Sequence, residues 1–94
     1  MESLVHQAAA FANGYVCAVN RGGMYNGRMC NRYWLRKNGG RDLLHMAHPA
    51  IFPNRGVLDP RNVLAALEHV GVSLENVTVD GVYGDQVVVV VFCE

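Results

Sequence analysis

Residues 86–93 read Gln86-Val87-Val88-Val89-Val90-Val91-Phe92-Cys93. Five successive β-branched residues followed by an aromatic one favour a strand. The run is much shorter than the ~20 apolar residues a membrane-spanning helix requires. A strand that is apolar on both faces needs cover on both, which places it inside a sheet rather than at its rim. At an exposed edge the same run would invite aggregation. It is therefore expected to be a central strand, and the rest of the chain is expected to supply its neighbours.

Working outward, Gly84-Asp85 reads as a hairpin turn, with Asn76 to Tyr83 as the strand before it. Asp59-Pro60 opens the clearest helix. Asp59 is a strong N-cap, and Pro60 has its φ already set for the first helical position. Val63, Leu64, Leu67 and Val70 form the apolar stripe of this helix, and Gly71 ends it. Residues Arg41 to Leu58, interrupted by Pro49 and Pro53, read as a long ordered loop. Before it, Met29 to Lys37 reads as a strand in which Met29, Tyr33 and Leu35 point one way, while Cys30, Arg32, Trp34 and Arg36 point the other. Asn20 to Arg28 reads as a flexible connection with three glycines, Tyr15 to Val19 as a strand, and Ser3 to Ala12 as a helix capped by Ser3.

The order is helix, strand, strand, loop, helix, strand, strand. It predicts an α+β fold: two α-β-β units forming a four-stranded, mainly antiparallel sheet with two helices on one face. Residues 1–94 fit a single domain at this length. Charged residues make up 17% of the chain, below the typical ~25%, and about half the residues are apolar, which argues against disorder.

Formal net charge is zero, which excludes a uniformly basic nucleic-acid coat, but the charges are unevenly spread. Of eight Lys and Arg residues, six lie between positions 21 and 41, where no acid occurs. From Asp59 onward there are six acids and one base, Arg61. Arginine presents a planar fork that matches phosphate or carboxylate and stacks on aromatic rings. Tyr25, Tyr33 and Trp34 are interleaved with the bases, a combination that suits a nucleotide or single-stranded nucleic acid. The candidate ligand-binding residues are Arg21, Tyr25, Arg28, Arg32, Trp34, Arg36, Lys37 and Arg41.

Rival readings use the same residues. The basic strand face could be merely solvated, Trp34 could be core with Tyr33 exposed, or the acidic half could neutralise the basic half. The basic face could also dock on an acidic protein surface, as an inhibitor or adaptor does, for example a phage-type antagonist of a host defence system; Arg and Trp are favoured interface anchors. A third reading, a cysteine-dependent hydrolase, would pair Cys17 or Cys30 with His45 or His48, oriented by Asp42 or Asn31. The spacing of Cys17, Cys30, His45 and His48 is a poor match to a zinc site, and no phosphate-loop signature follows Gly22-Gly23. No catalytic residue, metal or cofactor is assigned. Three cysteines make a poor disulfide framework and fit a reducing compartment. With neither a signal peptide nor a membrane span expected, the reading is cytoplasmic. A homodimer completing the valine-rich strand is a further expectation.

Overall fold

The computed structural model describes residues 1–39 and 58–93. Helix α1 (Glu2–Phe11) is followed by strands β1 (Gly14–Tyr25) and β2 (Arg28–Lys37). Helix α2 (Pro60–His69), a single 3-10 turn (Leu74–Asn76), and strands β3 (Val77–Tyr83) and β4 (Gln86–Phe92) complete it. The strands form one sheet in the order β1-β2-β4-β3, with every pair antiparallel. Two hairpins thus lie side by side, joined through β2 and β4, and each is preceded by its helix. This is the α+β arrangement of two α-β-β units that the sequence predicts. Among the described residues, no helix is long and apolar enough to cross a membrane.

The valine run takes its expected place. β4 lies between β2 and β3, and Val87 to Val91 are all buried. Val87, Val89 and Val91 join the core under both helices, with Val5, Ala8 and Ala9 of α1 and Val63, Ala66 and Leu67 of α2. Tyr33 and Leu35 of β2 belong to the same core. Val88 and Val90 point away from the helices and are equally buried. In register, Val88 is flanked by Trp34 and Gly81, and Val90 by Arg32 and Thr78.

The second helix follows its end signals. The Asp59 carboxylate accepts a hydrogen bond from the Arg61 N–H at 2.8 Å, and Pro60 opens the helix. At the other end Val72 N–H donates to Leu67 C=O and Gly71 N–H to Glu68 C=O, the paired bonds of a Schellman stop. In α1 the expected Ser3 cap is not made. The helix starts at Glu2 with Met1 as N-cap, so Ser3 lies inside the first turn.

The largest departure is in β1. The expected strand stopped at Val19, yet pairing runs on to Tyr25 opposite Arg28. The reason is Asn26-Gly27, whose φ values of 49° and 77° suit the tight two-residue turn that matches strand twist. The extra residues at Cys17 and at Arg21-Gly22 are absorbed as irregularities between Val16/Ala18 and Asn20/Gly23. Of the Arg41–Leu58 loop, only Leu58 lies within the described residues; it is buried and joins the core.

Tyr33 gives the fold a pH signature. Burial disfavours its charged form and raises its pKa above the ordinary 10.0, opposed by a hydrogen bond with Asn31. An acid whose folded pKa is raised contributes its full stability below the unfolded value and loses it as pH climbs through the folded one. Wild type should therefore lose stability above about pH 10 more steeply than Tyr33→Phe. Urea unfolding of both proteins across that range checks this; curves that fall in parallel would refute the assignment to Tyr33.

Candidate ligand-binding face

Strand alternation sorts the candidate residues. Tyr33 and Leu35 enter the core, so Arg28, Cys30, Arg32, Trp34 and Arg36 project from the opposite face of β2. Register adds Tyr25 opposite Arg28, Asn20 opposite Arg32 and Ala18 opposite Trp34 from β1. From β4 it adds Phe92 opposite Cys30 and Gln86 opposite Arg36. Both described helices pack on the other side. Tyr25, Arg28, Arg32, Trp34 and Arg36, five of the eight candidates, thus share one face. The rival placement of Trp34 in the core is excluded: Tyr33 is the buried member of the pair, and Trp34 is half-buried on the face away from the helices.

At the end of this face near the Asn26-Gly27 turn, cations and rings form a layered cluster. The Arg28 guanidinium carbon sits 4.0 Å from the Phe92 ring centre. Phe92 and Tyr25 have ring centres 6.0 Å apart, and the Arg32 guanidinium carbon lies 5.7 Å from the Tyr25 ring. These are cation–π and aromatic distances. Arg32 is held in place: its Nη2 donates to the Met24 carbonyl at 2.9 Å, and Nη1 lies 3.8 Å from the Cys30 sulfur. Gly23 makes room for it, since a Cβ there would come within 2.9 Å of Arg32 Nη1.

At the other end lies a shallow, open depression of about 480 Å³ lined by Cys17, Ala18, Asn20, Trp34, Arg36 and Gln86. Apolar floor and hydrogen-bonding rim meet there. Cys17 Sγ donates to the Trp34 carbonyl at 3.2 Å, which fixes the edge strand against Trp34. Across β4, Tyr83 lies against Gly81 with its ring 3.2 Å from where a Cβ would stand, and it is mostly exposed.

No family model, curated protein or solved structure matches this chain. The site is therefore read on its own chemistry.

Two further candidates are not part of the common face, and a third lies outside the described residues. Arg21, at an irregular point of β1, reaches α1 instead and binds Glu2 at 2.6 Å. Lys37 alternates onto the helix side, beside Leu58, Val82 and Val87. Arg41 lies outside the described residues, as do His45, His48 and Asp42 of the hydrolase and metal readings. Among the described residues, no three His, Cys, Asp or Glu side chains gather as metal ligands. The glycine-rich connection does not offer free backbone donors at Gly22, whose N–H is taken by the Asn31 side chain at 3.1 Å.

Charge on the open face is partly matched by the chain's own acidic half. Arg32 Nε lies 3.8 Å from Asp80, and Arg36 Nε lies 3.4 Å from Asp85. The second pair is exposed, 44% and 72%, so water screens it and it is worth ~1 kcal/mol or less. A phosphate can take over such a guanidinium. Among the described residues, Arg28 has a ring partner but no carboxylate. Phe92, Tyr83 and Gln86 were not among the sequence candidates. Once β4 is paired with β2, strand parity alone puts Phe92 and Gln86 beside the arginines.

Proposed function

We propose that the sheet face opposite the helices captures an anionic ligand bearing a base, a nucleotide or single-stranded nucleic acid. The observation that carries this reading is the sharing of one face by Tyr25, Arg28, Arg32, Trp34 and Arg36, with Phe92 interleaved. The arginines supply charge for phosphates, and the rings supply stacking surfaces that every base can use. Asn20 and Gln86 on the rim of the depression offer amide donors and acceptors to base edges. The depression is shallow and open, which suits a ligand laid across the sheet better than one enclosed by it.

About four phosphate contacts to a single strand would give a log–log salt slope of roughly −3. Among the described residues this face carries Arg28, Arg32 and Arg36, and three contacts give a slope of about −2. Fluorescence anisotropy of a labelled oligonucleotide across a salt series measures it. Affinity indifferent to salt rules out the mode.

A protein-binding inhibitor or adaptor is the second reading. It is favoured by arginines that already pair with carboxylates within the chain. Failure of the protein to bind any oligonucleotide, with capture of one acidic protein, would replace the first reading by this one.

A further inference from the structure

The sheet face opposite the helices carries two stacking stations, and their separation selects among ligands. The first is the layered Arg28–Phe92–Tyr25 cluster. The second is Trp34, at the depression bordered by Arg36 and Gln86. Phe92 is paired with Cys30, and Cys30 and Trp34 are four residues apart on one strand. At ~3.3 Å per residue the stations are therefore about 13 Å apart. Bases stacked in a helical strand are only ~3.4 Å apart. A mononucleotide has one base and can occupy one station only. A duplex turns its bases inward and presents no free ring faces to either. Arg32 stands between the stations in strand position, but its guanidinium turns to the first station, held by the Met24 carbonyl, Cys30 and Asp80 beside the Tyr25 ring.

We infer that the ligand is an extended single strand of nucleic acid whose non-adjacent bases occupy both stations at once, with the Arg32 charge beside the first. This deepens the proposed function and rests on it. One base stacks on the Arg28 guanidinium plane over Phe92, and another on the Trp34 indole, both of which are recurrent platforms for splayed bases. Arg36 and Arg28 flank the segment at either end.

The test is a length series in which the intact protein is titrated with a mononucleotide, then di-, tri-, tetra- and hexanucleotides of one homopolymeric sequence, and with the corresponding duplex. Engaging the second station should tighten binding by about 5- to 150-fold between the mononucleotide and the tri- or tetranucleotide. The duplex should bind no better than the mononucleotide. Trp34→Ala and Arg28→Ala should each abolish the length-dependent rise. Equal affinity for one nucleotide and four, or a rise that survives either substitution, overturns the two-station inference and leaves the anionic-ligand reading standing. No binding at any length overturns both. Circular dichroism on each variant separates loss of a station from loss of the fold.

Discussion

Val89→Asp should give a chain that does not fold. Val89 is fully buried at the middle of β4, paired with Tyr33 on one side and Val79 on the other, and it faces the helices. A carboxylate there has no partner in the core and must either stay charged in an apolar site or take up a proton to remain neutral. Either outcome costs several kcal/mol, on top of the lost apolar contact. A domain of this kind has only ~5–15 kcal/mol in total. The result would be seen as loss of a cooperative thermal transition and of native circular dichroism. Val82→Asp is the matched control, because Val82 is on an edge strand and 56% exposed, and it should unfold almost as wild type does. A cooperative transition in Val89→Asp near the wild-type temperature would refute the central placement of β4.

Trp34→Ala should retain the fold and weaken binding. Trp34 is outside the helix-side core, so the helices and the Tyr33–Leu35 side of β2 keep their contacts. Removing a ring on which a base stacks costs ~1–3 kcal/mol, which corresponds to about 5- to 150-fold in Kd. The expected result is weaker binding of a labelled single strand of about ten nucleotides, with little loss of cooperativity on unfolding. Some loss of stability is expected, because Val88 is the cross-strand neighbour of Trp34 and becomes more exposed. Unchanged affinity would remove Trp34 from the site, whatever becomes of the arginines.

The parts of the fold that were readable in the sequence are those in which one local signal dominates. Five consecutive valines admit few placements, and Asp59-Pro60 through Gly71 carry both ends of a helix. Strand parity in residues 29–37 correctly separated Tyr33 from Trp34. What was misjudged was the stretch 20–28, where three glycines read as a loose connection. Asn26-Gly27 carried the hairpin signal, but the irregularities at Cys17 and Gly22 break the alternation that would have marked β1 as one long strand. For the site, spacing along a single strand was sufficient for Arg32, Trp34 and Arg36, whereas Arg28 joins them only because β2 begins one residue earlier than expected. It was insufficient for Arg21, which an irregular stretch of β1 turns toward Glu2, and for Lys37, which falls on the other parity. Phe92 was hidden by pairing: nothing local to residues 86–93 says that this ring lies under Arg28. The acid–base asymmetry was visible, but whether it served a partner or the chain itself depends on β2 lying next to the β3–β4 hairpin. That neighbourhood brings Asp80 and Asp85 to Arg32 and Arg36.

The most direct measurement is a titration of isotope-labelled protein with an unlabelled single-stranded oligonucleotide, followed by nuclear magnetic resonance. The account predicts that the Trp34 indole N–H and the amides of Tyr25, Arg28, Arg32, Arg36 and Phe92 shift together and saturate, while those of Val5, Ala9, Val63 and Leu67 stay in place. Shifts confined to the helices, or a spectrum unmoved at saturating oligonucleotide, would contradict it.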